Sequence, residues 1–194
     1  MCSSDLLAFD GTLVLGDSAS GTGRLDIDAT SAVFGGGSNG GVAPFVAGQL
    51  ATLTNAGRID LSNGGGVGDT FTVAGNYVGN GGALYLNTVL GDDSSASDKL
   101  VISTGSASGT TGVGILNAGG AGASTVADGI LVVQAINGAT TAPTAFALYN
   151  PVAAGAYEYF LFKGGVSGGT AENWYLRSTL VASVTPAPAP PPGG

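Results

Sequence analysis

Apolar and polar residues alternate in short runs along the chain. The clearest are Gly11-Thr12-Leu13-Val14-Leu15-Gly16, Arg24-Leu25-Asp26-Ile27-Asp28, Arg58-Ile59-Asp60-Leu61, Thr70-Phe71-Thr72-Val73 and Ala83-Leu84-Tyr85-Leu86. Alternation with period two predicts strands with one buried face. Side chains two apart share a face, so Arg24, Asp26 and Asp28 are expected outside, with Leu25 and Ile27 inside. Lys99 to Ile102, Gly129 to Val133 and Tyr157 to Phe162 follow the rule less strictly, as strands covered on both faces do. Turn dipeptides separate the runs: Asp10-Gly11, Asn39-Gly40, Asn63-Gly64, Asn80-Gly81, Asp128-Gly129 and Asn137-Gly138. Strand starts recur every ten to sixteen residues or so in the middle of the chain. That spacing suits hairpins or the rungs of a parallel β-helix. The phrases Gly23-Arg24-Leu25-Asp26-Ile27-Asp28 and Asn55-Ala56-Gly57-Arg58-Ile59-Asp60-Leu61 resemble each other, as in a degenerate solenoid repeat. A β-sandwich is the alternative.

Composition sharpens this picture. With 36 glycines among 194 residues, few helical windows survive, because each interior glycine costs a helix roughly 0.5 to 1 kcal/mol. Hydrophobic residues make up 44% and charged residues 9%, which excludes a charged disordered tail. The net charge of −8 disfavours nucleic acid and anionic membrane surfaces as partners. The longest uncharged stretch, Gly129 to Tyr157, is broken by Asn137-Gly138 and Pro143, so it predicts no membrane-spanning helix. The one cysteine, Cys2, sits in residues 1–6, which read as a non-native, adapter-like leader. Without it the chain has no thiol, as suits a protein exported unfolded. Beyond Thr185 the chain becomes Pro-Ala-Pro-Ala-Pro-Pro-Pro-Gly-Gly, an extended linker composition.

Candidate chemistry is sparse. Gly-x-Ser-x-Gly phrases place Ser38 and Ser167 as nucleophile look-alikes. With no histidine in the chain, only Lys99 or Lys163 could act as base, and surface turns are the better reading. Asp92, Asp93 and Asp98 lie in an acidic stretch that could offer oxygens to Ca²⁺, but a solvated loop is expected. Gly65-Gly66-Val67-Gly68-Asp69 is one residue short of a calcium-binding β-roll repeat and stands alone. Arg24, Asp26 and Asp28, or Arg58 and Asp60, could form a glycosidic carboxylate cluster, but half-exposed strand faces are the better explanation. Tyr157, Tyr159, Phe160, Phe162, Trp174 and Tyr175 are expected to build a terminal core rather than a sugar platform. No catalytic, cofactor-binding or metal-ligating residue is assigned, no cofactor is expected, and the chain reads as non-enzymatic.

The stretch from Gly75-Asn76-Tyr77-Val78-Gly79-Asn80-Gly81-Gly82-Ala83-Leu84-Tyr85-Leu86 through Asp98-Lys99-Leu100-Val101-Ile102 resembles the C-terminal passenger segment of pertactin-like autotransporters. Gly129 to Val133, Gly155 to Gly165 and Asn173 to Ser178 continue the likeness, which covers about two thirds of the chain. The resemblance implies an all-β, right-handed parallel β-helix with a C-terminal autochaperone-like cap. Residues 7–52 would be stem rungs, 53–178 the autochaperone-like segment and 179–194 an Ala/Pro-rich linker. It further implies a cell-surface location at the outer membrane after export through the periplasm, and a role as stem and folding nucleus of a longer passenger. The implied partners are the protein's own C-terminal outer-membrane β-barrel and the N-terminal passenger rungs, with a monomer expected. A surface adhesin contacting host glycans or matrix is the alternative.

Overall fold

The computed structural model describes residues 6–8 and 11–181, with residues 6–8 described through their backbone; most of the leader, including Cys2, and most of the linker lie outside the described residues. The chain is an all-β right-handed parallel β-helix of about four turns. Its first turn comprises β1 (Leu6–Ala8), β2 (Thr12–Asp17), the short β3 (Gly21–Thr22) and β4 (Arg24–Ile27). The second comprises β5 (Ala32–Phe34), β6 (Asn39–Pro44) and β7 (Ala51–Asn55). β8 (Arg58–Asp60) opens the third, which continues into β9 (Thr70–Thr88) and β10 (Lys99–Asn117), two long strands that bend around the corners of the solenoid. β11 (Ile130–Ile136), β12 (Thr140–Thr141) and β13 (Phe146–Leu148) complete the parallel stack. β14 (Val152–Ala154), β15 (Tyr157–Lys163) and β16 (Trp174–Leu180) form an antiparallel sheet that closes it.

Three parallel faces define the cross-section. One stacks Val33 on Ile59, Leu84, Val113 and Leu148. A second stacks Leu13 on Val42, Val73, Ile102 and Ala135. The third stacks Leu25 on Leu53, Tyr77, Ala107 and Thr141. The parallel register decides between solenoid and sandwich, since the sandwiches considered are built from antiparallel strands. Each inward side chain sits on its counterpart a rung below, giving one continuous core. Alternation places Arg24, Asp26 and Asp28 outside and buries Ile27, as expected.

The repeat itself differs from the expectation. Leu25 lies on Leu53 and Leu53 on Tyr77, so one turn takes 28 and then 24 residues, carrying three faces. The look-alike phrases therefore do not stack: Arg24 pairs with Thr52, whereas Arg58 pairs with Ala32 on another face. Asn80-Gly81 is a corner within β9, and Asn39-Gly40 begins β6. Asn137-Gly138 does turn the chain, with φ of 55° and 79° at its two residues and an Ala139 amide bonded to the Ile136 carbonyl at 3.0 Å. Among the described residues no helix is long and apolar enough to cross a membrane.

Candidate functional site

The cap is where the fold departs from simple repetition. β16 docks antiparallel on β11, the last strand of its face, while β15 and β14 extend the sheet outward. Alternation in β16 sends Trp174 and Leu176 into the core, at 3% and 0% exposure. The Trp174 ring meets Phe146 edge-on at 5.4 Å, and Phe146 stacks on Tyr77 at 5.8 Å. An aromatic column thus runs from the middle of the solenoid into its lid, burying large apolar area in favourable ring geometries. The indole Nε1 donates to Thr141 Oγ1 at 3.0 Å. The Tyr77 hydroxyl accepts from Asn55 Nδ2 at 3.0 Å and pairs with Thr111 Oγ1 at 2.8 Å, linking three turns through buried polar atoms. Burial raises the Tyr77 pKa.

The expected aromatic cluster is divided by β15. Tyr159 is buried, donating its hydroxyl to the Gly91 carbonyl at 2.9 Å and accepting the Ala123 amide at 3.0 Å. Phe160 and Phe162 fall on the opposite face of the same strand and are exposed, with the Arg177 guanidinium 5.3 Å from the Phe162 ring centre. Tyr175 is buried and Tyr157 half-buried.

Carboxylates staple the loops. Asp98 is fully buried and accepts the amides of Gly68, Asp69 and Asn87 at 2.9, 3.0 and 2.8 Å. Burial raises its pKa, even against those amides. Asp93 takes the amides of Val126, Ala127 and Gly129 at 2.7, 3.0 and 2.7 Å. For this group burial pushes the pKa up, but the amide bonds together hold it below the ordinary 3.8. Asp128 binds the amides of Val166 and Ser167, and Glu172 binds the Thr141 amide together with Lys163 Nζ at 2.9 Å. Both acids are lowered, chiefly by the Ser167 and Thr141 amides respectively. The acidic stretch is therefore more than a solvated loop. Its oxygens hold remote backbone, and among the described residues no three metal-ligating side chains converge.

A folded-state pKa below 3.8 means that Asp93 contributes stability above that value and loses it as pH falls through the folded pKa. Below about pH 4, the melting temperature of the parent should fall more steeply than that of Asp93→Asn. Parallel acid limbs in a thermal-melt series would reject the staple.

The remaining candidates stay apart. Ser167 sits in an exposed turn whose amide is bound to Asp128, while Lys163 bonds Glu172 and the Ala171 carbonyl. Lys99 Nζ reaches the Ser97 carbonyl at 3.4 Å. Ser38 Oγ contacts the Gly35 carbonyl at 3.3 Å. Arg24 pairs with Asp26 at 2.7 Å, whereas Asp28 caps its own turn at Thr30. Arg58 lies 3.6 Å from Asp60, whose Oδ1 holds Ser62. The sequence pattern did not point to the Asn55, Tyr77 and Thr111 network, and it marked Asp93 and Asp98 only as candidate calcium ligands, not as acceptors of remote backbone amides.

A three-faced parallel solenoid whose last rung is covered by an aromatic, antiparallel lid defines the class: a parallel β-helix with a C-terminal cap. Residues 48–161 match the model of Autochaperone Domain Type 1, and the chain belongs to that family, as an autotransporter passenger segment. Among its relatives, the uncharacterized protein YuaQ of Escherichia coli K12 is 39% identical over 87% of this chain and 13% of its own length. Adhesin BmaC autotransporter of Brucella suis biovar 1 is 46% identical over 69% of this chain and 4% of its own. Autotransporter adhesin AIDA-I of Escherichia coli is 41% identical over 61% of this chain and 9% of its own. The chain thus spans only a small part of each of these three relatives.

Proposed function

We propose that the chain is the non-enzymatic stem and folding nucleus of an autotransporter passenger, organised as stem rungs at 7–52, an autochaperone-like segment at 53–178 and a linker at 179–194. The asymmetry of its two ends carries this reading. At the C-terminal end the lid covers β11, and Ile130, Val132 and Val133 are almost wholly inaccessible. At the N-terminal end, among the described residues, no strand pairs with the outer edge of β2 over Thr12–Leu15 or of β4. Leu13 there is 38% exposed, although its counterparts Val42, Val73 and Ile102 on the same ladder are 1%, 0% and 0% exposed. A solenoid sealed at one end and open at the other is a template onto which further rungs add, each burying the face before it. The passenger rungs that precede this segment are the proposed occupants of that edge, and its own outer-membrane β-barrel is the proposed module beyond the linker. Autotransporter relatives support export to the outer membrane or cell surface.

If the cap is the nucleus, matched truncations at the two ends should act on different rate constants. Val133→Ala in β11 should slow refolding, with a φ-value of about 0.5 to 1, while Val42→Ala in β6 should mainly speed unfolding, with φ of about 0 to 0.3. Stopped-flow chevrons decide the matter. A high φ at Val42 with a low one at Val133 would place the nucleus at the wrong end.

A further inference from the structure

We infer that the outward strip where Tyr85 and Tyr149 lie side by side on the solenoid wall, with the groove beside Tyr149, is a binding site for a neutral oligosaccharide. This goes beyond the stem and nucleus role, because these rings face away from the core and the cap. Tyr85 and Tyr149 follow the inward-facing Leu84 and Leu148, so alternation turns both outward, on turns two rungs apart with β10 between them. Between them β10 carries Gly112 and Gly114. A Cβ at Gly112 would come 2.9 Å from Tyr149 Cδ2, and one at Gly114 would come 2.5 Å from Tyr85 Cδ1. The two glycines therefore let both rings rest close on the backbone, with Tyr149 exposed and Tyr85 half-buried. The ring centres are 6.5 Å apart and tilted by 56°. Arg58 extends the strip, with its guanidinium 5.9 Å from the Tyr85 centre and 5.0 Å from that of Phe34.

Sugar recognition suits this surface better than a protein or lipid contact. Pyranose rings present apolar C–H faces to aromatic rings and hydroxyls to hydroxyls, and tyrosine offers both an apolar body and a polar handle. The groove, about 260 Å³, is lined by Gly81, Thr110, Thr111, Gly112, Thr144 and Tyr149 among others, and contains no charged side chain. Among the described residues, the hydroxyls of Tyr85, Tyr149, Thr110 and Thr144 make no hydrogen bond within the protein, so they remain available to a ligand. Tyr149 is 68% exposed, too open to be a core residue. Adjacent turns lie about 5 Å apart, a step comparable to one sugar unit, so successive rungs can meet successive residues of a glycan. An acidic glycan is disfavoured by the chain's net charge of −8.

The test titrates the 194-residue chain with cellohexaose, maltohexaose and N-acetylchitohexaose, read by calorimetry and by saturation transfer to ligand protons. At least one should bind saturably with Kd near about 1 mM, and Tyr149→Ala should weaken it about tenfold while leaving the melting temperature unchanged. Thr144→Arg, which fills the uncharged groove with a cation, should abolish binding in an equally stable chain. No saturable binding of any of the three up to about 10 mM would overturn the inference. So would equal binding by parent and Tyr149→Ala, or tighter binding of an oligogalacturonate than of every neutral probe.

Discussion

Trp174→Ala is expected to cost the chain about 3 to 5 kcal/mol, the range for removing a large buried aromatic. The side chain is 3% exposed, closes the column Trp174, Phe146 and Tyr77, and donates to Thr141 Oγ1. Its loss leaves a cavity where the lid meets the stack and removes the indole donor from Thr141. Thr141 keeps its own bond to the Glu172 carbonyl at 2.8 Å, so the damage comes mainly from lost packing. For a chain of this size the melting temperature should fall by about 10 °C. The loss should also be local. In a solenoid each turn contacts only its neighbours, so β11 and the β15–β16 pair should lose amide protection before β6 and the first half of β9. Hydrogen exchange resolved by segment reads this order directly. A loss below about 1 kcal/mol, or protection falling equally in β6 and β11, would show that Trp174 does not hold the lid. Trp174→Phe keeps the ring contact and should recover a good part of the stability.

The alternating runs were legible because one side of each faces solvent. Arg24 and Asp26 against Ile27, or Arg58 against Ile59, declare inside and outside within four residues. β10 was legible only at its start. From Ser103 to Gly114 its residues are Ser, Gly, Thr, Ala and a single Val, and its shape comes from register with β9 on one side and β12 and β13 on the other. Such backbone pairing leaves no periodic hydrophobic trace. The length of a turn was hidden for a related reason: corners at Asn80-Gly81 and a true turn at Asn137-Gly138 use the same residue pair, and only the neighbouring rung decides which one forms. Aromatic clustering marked the cap, but the alternation of β15 divides that cluster, while Tyr77 and Phe146 lie far earlier in the chain than the residues they support. The carboxylate staples were least legible. Asp93 binds amides 33 to 36 residues onward and Asp98 reaches 29 and 30 residues back, distances at which no local motif exists.

Asp98 supplies the second large effect. Its Oδ1 accepts two amides from the loop at Gly68 and Asp69, its Oδ2 accepts Asn87, and Asn87 Nδ2 in turn reaches the Ser62 and Gly66 carbonyls. One buried carboxylate thereby fixes the loop before β9 and the end of β9 itself. Asp98→Ala strands the buried Asn87 amide and the partly buried amides of Gly68 and Asp69, and with about 1 to 3 kcal/mol for a buried unsatisfied donor and less for the other two it should destabilise by about 2 to 4 kcal/mol. Asp98→Asn should cost less, about 2 kcal/mol, because its carbonyl can serve one side while its amide group meets an N–H on the other. The pH signature is the reverse of that of Asp93. A carboxyl whose folded pKa is raised above 3.8 contributes most below that value, and its contribution declines as pH rises through the folded pKa. The stability gap between parent and Asp98→Asn should therefore narrow as pH rises through that window, whereas the gap for Asp93→Asn should widen. Urea titrations of the three proteins across the acid range compare the slopes directly. Gaps that move in the same direction would mean that the amides, rather than burial, govern Asp98, and rapid proteolysis between Asn63 and Asp69 in Asp98→Ala would still mark it as the residue that holds this loop.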